Sequence, residues 1–428
     1  MRPFGALRYA AVDDLGPVLS PPYDVVTPAQ QAELHAQDPH NALRLELAEG
    51  APDDPLTVRY GRVAETLRQW RRRNVLGHDT RPAFYPYEER FPTPQGDQAR
   101  RGFFAAVRVH PWSDLVVLPH ERTRPKPKAD RLELLRATRT QISPIFCLFE
   151  DDGGEVRQIL DEITRDVPLV CGTTTAAACR DIARDHTLWW AANRPAQQLV
   201  DLFVNRRLYV ADGHHRYETA LEYREERRAA ADRWDPSAPY EYVMALLVPA
   251  DDPGLVVLPT HRLIHTPRPL DREALVEGWR RTFVVDTWPL PEREPGQALA
   301  DELRRRGAYH HVFAALGVEP GVAHMLSLRG APREWHAPAS WRTLDVGLLQ
   351  ALIVEPLERY PGTEVEFTRD PEECVHHAAR DRRNLSLLLN ATTVDQILAV
   401  ARAGDRMPEK STYFMPKVAT GMVMYPLD

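Results

Sequence analysis

A mixed α/β fold is predicted for this 428-residue sequence by three features. Short apolar runs at 144–149 and 242–248 have the length and composition of buried strands. Segments of helical spacing alternate with them. One junction, residues 208–221, joins the two kinds of element directly, because an apolar run stops at Asp212-Gly213 and resumes with helical spacing. The length allows two or three domains, each able to bury its own core.

The elements follow in order. Residues 28–37 form a polar helix candidate behind the proline-braced Pro21-Pro22-Tyr23-Asp24-Val25-Val26. Val58, Val63, Leu67 and Trp70 recur at helical spacing, and Arg71-Arg72-Arg73 suit the negative carboxyl end of a helix. Residues 83–91 and 102–109 read as strands around the turn-rich Pro92-Thr93-Pro94-Gln95-Gly96, which predicts a hairpin. Residues 116–119 lead into His120-Glu121, 131–139 are helical, and 144–149 form a buried strand. Helix and strand then alternate up to Asp212-Gly213-His214-His215-Arg216, whose helix carries Glu218, Glu222, Glu225, Arg224 and Arg228 on a solvated face. Residues 242–248 are a central strand, and 258–263 close this core. The loop 288–296 breaks the pattern, so a boundary is expected between about 265 and 295. Beyond it, helices are expected near 345–357, 371–382 and 394–403. The expected division is a core at 1–265 that holds an insertion, followed by an additional C-terminal α+β subdomain at 266–428 that completes the cleft.

Composition narrows the function. A formal charge of −7 argues against a general nucleic-acid binder. No apolar run is long enough to span a bilayer, and the amino terminus lacks the apolar core of a signal peptide, so the expected location is the cytoplasm. The four cysteines form no CxxC pair and read as buried free thiols.

The Asp-Gly junction carries the first chemical signal. Backbone N–H groups at a helix start, the positive end of the helix dipole and an Arg in the first turn together favour an anion, most often phosphate. The alternative is that Asp212 merely caps the helix and His214 and His215 are solvated. Lysine usage supplies the second signal. Of 54 basic side chains only four are Lys, at positions 126, 128, 410 and 417, in two short segments. Where an ammonium persists against so strong an Arg bias, phosphate contact or proton chemistry is the expected use. Lys126, Lys128, Lys410 and Lys417, with the hydroxyls of Ser411 and Thr412, are therefore phosphate-binding candidates. The glycines of a P-loop are missing.

Glu121 lies among Arg122, Arg124, Lys126, Lys128 and Arg131, where it is either a proton acceptor or an ion-pair partner for those charges. His120 stands beside it. Tyr23 and Asp24 are either turn formers or substrate contacts, and His261 and Arg262 are substrate-binding candidates. His120, His214, His215 and His261 would hold a metal only if they converged, and no metal ligand is assigned.

Several of these segments resemble a bacterial family of unknown function whose members are often described as ParB-like: Pro21–Val26, His120-Glu121, Ala211–Ala220, Leu258-Pro259-Thr260-His261-Arg262 and Met407–Phe414. The Asp-Gly-His-His-Arg turn in particular resembles the phosphate-binding turn of the ParB/sulfiredoxin superfamily, above all that of its free-serine kinases. The resemblance implies a mixed-sheet ParB/sulfiredoxin-like core with insertions. Asp212, Gly213, His214, His215 and Arg216 would then hold phosphate, with Glu121 the catalytic base and His120 and Asp212 beside it in the catalytic set. It further implies a transferase with ATP or ADP as phosphoryl donor, Mg²⁺ as cofactor and a small hydroxyl metabolite as acceptor, free L-serine leading. The expected partners are that substrate and a nucleotide, with no membrane, no nucleic acid, and a homodimer left open. The rival readings are a ParB-like protein that binds and hydrolyses CTP, and a metal-dependent hydrolase or nuclease. The long insertion between the His-Glu and Asp-Gly segments and the added carboxyl-terminal region set this chain apart from compact kinases.

Overall fold

Eight strands form the largest sheet, in the order Val117–Pro119, Leu208–Asp212, Ile145–Phe149, Tyr242–Pro249, Gly96–Arg108, Tyr85–Thr93, Asp185–Leu188 and Val170–Thr173. Leu208–Asp212 runs parallel to Val117–Pro119, Tyr242–Pro249 runs parallel to Ile145–Phe149, and the other neighbours are antiparallel. The sheet is mixed, as the interleaved strands and helices predict. The computed structural model describes residues 1–10, 12–50, 54–93, 96–122, 125–330 and 335–428, without the side chains of 125–127. Pro94 and Gln95 of the expected hairpin turn lie outside the described residues.

The chain forms two compact units. The first comprises Met1–Pro119, Thr123–Val256 and Phe414–Asp428; the second comprises His120–Arg122 and Val257–Tyr413. In the first, strand alternation sends Phe103, Ala105, Ile145, Cys147, Val210, Ala245 and Leu247 to one face, where they meet the helices Glu155–Ile163 and Asn193–Leu202. In the second, six antiparallel strands run in the order Phe283–Pro289, Val322–Leu328, Val312–Glu319, Asn384–Leu388, His261–His265 and Glu364–Thr368. Leu299 and Leu303 of one helix and Cys374 of another close its core over Leu263, Ala314 and Leu388.

Local signals explain several boundaries. The first predicted helix spans Pro28–Gln37, started by a reciprocal capping box between Thr27 and Gln30. The next long helix, Leu56–Arg72, buries Val63, Leu67 and Trp70, but Val58 is exposed and Tyr60 takes its expected place inside. The helix expected at 131–139 begins earlier and spans Pro125–Thr138. Strand Phe283–Pro289 continues through Trp288 and Pro289, which the sequence places in a loop. Cys147, Cys179 and Cys374 are buried, whereas Cys171 is exposed, contrary to the expectation of four buried thiols. Among the described residues, no helix is long and apolar enough to cross a membrane.

Candidate functional site

In the first unit the expected strand–turn–helix junction is present. Leu208–Asp212 is a strand, and His214–Ala230 is a helix of 17 residues. The cap position falls to Gly213, with φ +89°, so Asp212 is the last strand residue instead of the cap. A Cβ at Gly213 would lie 3.2 Å from Cα of Ile145 and 3.1 Å from Nε of Arg216. Positive φ and this close approach both favour glycine.

Two cations converge on Asp212. Lys417 Nζ, 205 residues away in sequence, lies 3.1 Å from Oδ2, and Arg216 Nη2 lies 3.8 Å from the same oxygen. Oδ1 accepts the Gly213 N–H at 2.9 Å. Burial alone would raise the Asp212 pKa; Lys417, Arg216 and these hydrogen bonds outweigh it and hold the carboxyl well below its ordinary value. Lys417 is anchored through its own N–H, which donates to the Asp181 carbonyl at 2.7 Å. One carboxylate and two cations thus meet at the start of a long helix, whose dipole is positive there.

Around Arg216 lie residues the sequence did not single out together. Arg216 donates to the Pro144 carbonyl, and with Glu46, Arg131, Ser143 and Thr219 it lines a cavity of about 50 Å³. Arg131 is the hub. Its guanidinium donates to Glu46 at 2.9 Å, to Tyr60 at 2.6 Å and to Asp130 at 2.9 Å, and it stacks 3.9 Å from the ring centre of Tyr23. Burial and Asp24 push the Tyr23 hydroxyl up to about 12, against the opposing influence of Arg131 and Arg216. Tyr23 thus belongs to this corner, while Asp24 is exposed. The signal available in advance was thin: Glu46 follows the apolar Leu43 and Leu45 at strand-like spacing, and only its burial gives it meaning.

Lys128 is placed elsewhere. Its ammonium pairs at 2.8 Å with Glu222. That residue lies eight positions beyond His214, about 12 Å along the helix axis. The side chain of Lys126 lies outside the described residues.

The second unit joins the other motifs. Glu121 bridges Met407 in a parallel pairing, and the His120 carbonyl accepts the Met407 N–H at 2.7 Å. His120 is buried, with Nε2 3.0 Å from Thr412 Oγ1. Glu121 accepts the N–H of Lys410 at 2.7 Å, where Lys410 adopts φ +51°. Ser411 is buried and donates to the Pro408 carbonyl, and its own carbonyl accepts from Thr392 at 3.4 Å. The His-Glu and Lys-Ser-Thr segments, nearly three hundred residues apart, are thus one local structure, with the Lys410 side chain exposed.

His261 and Arg262 do not share a face, because successive residues of the strand His261–His265 alternate. His261 accepts the Leu389 N–H through Nδ1 at 3.5 Å, and burial first, then Arg262, lowers its pKa to about 3. Arg262 is 1% exposed; its Nη1 donates to the Thr260 carbonyl, and its guanidinium lies 5.2 Å from the ring centre of Phe367. Among the described residues its Nε and Nη2 have no hydrogen-bond partner. Burial lowers its pKa to about 10, partly offset by the fields of Glu121 and Glu409, so it stays charged at neutral pH. Among the described residues, no group of three or more His, Cys, Asp and Glu side chains could hold a metal ion.

Fold and site together define a two-unit mixed α/β protein with a cationic helix start in one unit and a joined His-Glu/Lys-Ser-Thr cluster in the other. The chain belongs to the family described as Protein of unknown function (DUF1015), which matches residues 1–347. Its structure is similar to a free serine kinase in complex with AMP, with 11% identity over 76% of this chain and 90% of that one and a TM-score of 0.37. It is also similar to SbnI with C-terminal truncation from Staphylococcus aureus (12% identity, 76% of this chain, 87% of that chain, TM-score 0.38). A third likeness is a conserved hypothetical protein from Pyrococcus furiosus (10% identity, 75% and 93%, TM-score 0.36). No curated protein matches the sequence.

Proposed function

We propose that this protein is a nucleotide-dependent phosphotransferase acting on a small hydroxyl metabolite, and that the turn Asp212–Arg216 with Lys417 binds the nucleotide phosphates. One observation carries the reading: Lys417 and Arg216 converge on a single carboxylate beside the start of a 17-residue helix. Such a corner attracts phosphate through the dipole, the backbone N–H groups and its two cationic side chains. The ParB/sulfiredoxin-like character of the core and free L-serine as leading acceptor are part of the same proposal, taken from the likeness of the turn. Glu121 is the proposed base. It would take the acceptor's hydroxyl proton as the new O–P bond forms and the bond to the nucleotide's bridging oxygen breaks.

Bound Mg²⁺ would supply neutralisation of phosphate charge. Asp212 is a poor ligand for it, because Oδ2 is held by Lys417 and Oδ1 by the Gly213 N–H.

Calorimetric titration with ATP and ADP tests the binding half. Lys417→Met is expected to weaken the nucleotide about tenfold or more, roughly 1.4 kcal/mol. Phosphorus NMR of nucleotide mixed with L-serine tests the transfer half, where Glu121→Gln is expected to slow product formation with nucleotide affinity retained. Native protein that binds no nucleotide, or a Glu121→Gln variant with full turnover, overturns the reading.

A further inference from the structure

The second unit contains a pocket that none of the motifs above touches. Strand Val312–Glu319 pairs with Asn384–Leu388 only from Ala314 to Leu316. Beyond that, Gly317 turns with φ +99°, and a Cβ there would come within 2.4 Å of the Asn384 carbonyl oxygen. The register with Val322–Leu328 also shifts between Ala315 and Glu319. A bulge of this kind bends one strand away from its neighbour. The space beside it measures about 440 Å³, within the range of small-molecule sites.

Leu290, Leu316, Val322, Val375 and Ala378 give this pocket an apolar lining, and Leu290, Val375 and Ala378 pack against the unit's core. Its charged lining is lopsided. Arg272, Arg380 and Arg382 all border it. Arg272 donates to two backbone carbonyls, of Val318 at 2.9 Å and of Arg382 at 3.3 Å, and among the described residues to no carboxylate. Among the described residues, neither Arg380 nor Arg382 has an ion-pair partner. Of the two acids on the rim, Asp381 is held by Arg383 at 2.6 Å, which leaves Glu319 to face three guanidinium groups. The carbonyl end of helix Pro371–Arg380 offsets part of that charge without removing it.

We propose that this pocket binds an amphiphilic carboxylate: an apolar body of ring-system size against Leu316, Val375 and Ala378, with its acid group among Arg272, Arg380 and Arg382. A neutral apolar ligand would leave the cations unanswered. A compact inorganic anion would leave the apolar lining wet. The site lies wholly within the second unit and is independent of the phosphate-binding reading of Asp212–Arg216.

The probe is 1-naphthoate, compared by calorimetric titration with the neutral 1-naphthalenemethanol. Native protein is expected to bind the acid with a Kd below about 1 mM and the alcohol at least about tenfold more weakly. Arg380→Gln/Arg382→Gln changes two exposed side chains and leaves the core intact; it is expected to weaken the acid about tenfold or more. Absence of naphthoate binding by native protein overturns the proposal. So does equal binding of acid and alcohol, or unchanged affinity in the double variant.

Discussion

Arg131, one of three arginines buried in the first unit with Arg100 and Arg224, and Arg262, buried in the second, are treated in opposite ways. Arg131 in the first is 4% exposed and meets Glu46, Asp130, Tyr60 and the face of Tyr23. Burial would lower its pKa, but Glu46, Tyr60, Asp130 and Tyr23 together raise it above its ordinary value. Arg262 in the second is 1% exposed, yet its donors reach only the Thr260 carbonyl and burial lowers its pKa. The first is a structural strut, its charge answered from within the fold. The second is answered only in part, by the fields of Glu121 and Glu409, and two of its donor nitrogens have no hydrogen-bond partner among the described residues; a natural protein tolerates such a group chiefly where function demands it.

The largest expected effect comes from breaking the strut. Arg131→Met leaves Glu46, itself 2% exposed, without its cation. The expected loss is about 3–5 kcal/mol of folding stability, read by urea denaturation. A loss under 1 kcal/mol would show that the Glu46 charge is answered by something other than Arg131.

Arg262→Met sharpens the contrast because it carries the opposite sign. Removing a buried cation with two unpartnered donor nitrogens relieves a desolvation penalty, so the ligand-free protein is expected to hold its stability or gain up to about 3 kcal/mol. The same denaturation experiment reads it. A marked loss would mean that Arg262 is as structural as Arg131, and the comparison would fail.

How far the sequence anticipates this architecture depends on how local each cause is. Helix Pro28–Gln37 was legible because Thr27 and Gln30 fix its start within four residues. The hairpin was legible because two apolar runs flank a turn, and its strands Tyr85–Thr93 and Gly96–Arg108 do pair. Nothing local announces that Phe414–Asp428 belongs to the first unit, since its partners are far away in sequence. The scarcity of lysine marks Lys417 in the sequence, but its pairing with Asp212, like that of Lys128 with Glu222, is a product of the tertiary fold. Arg262 shows the same boundary. Its presence in the motif is plain, while its lack of partners is a property of packing that no spacing rule encodes.

Buried histidines extend the comparison to pH, most strongly through His186 in the first unit and His261 in the second. His186 is buried on the Asp185–Leu188 strand, 2.6 Å from the Tyr87 hydroxyl, and burial lowers its pKa to about 4; burial and Arg262 lower that of His261 to about 3. An unfolded histidine titrates near 6.5, so both folded rings resist protonation that the unfolded chain accepts. Stability is therefore full above about pH 6.5 and falls as pH drops toward the folded values, by about 2 kcal/mol per histidine on reaching pH 5. His311, partly exposed and raised by its hydrogen bond to Asp345, has the opposite sign: its contribution is present below about 6.5 and is lost as pH climbs through its raised value, which makes it a small counterweight in acid. Denaturation at pH 7 and pH 5 reads the sum. In His186→Gln the acid loss is expected to shrink by about 2 kcal/mol, leaving the part that His261 and the other histidines lowered by burial supply. An unchanged pH dependence in that variant would place the acid sensitivity wholly in other groups.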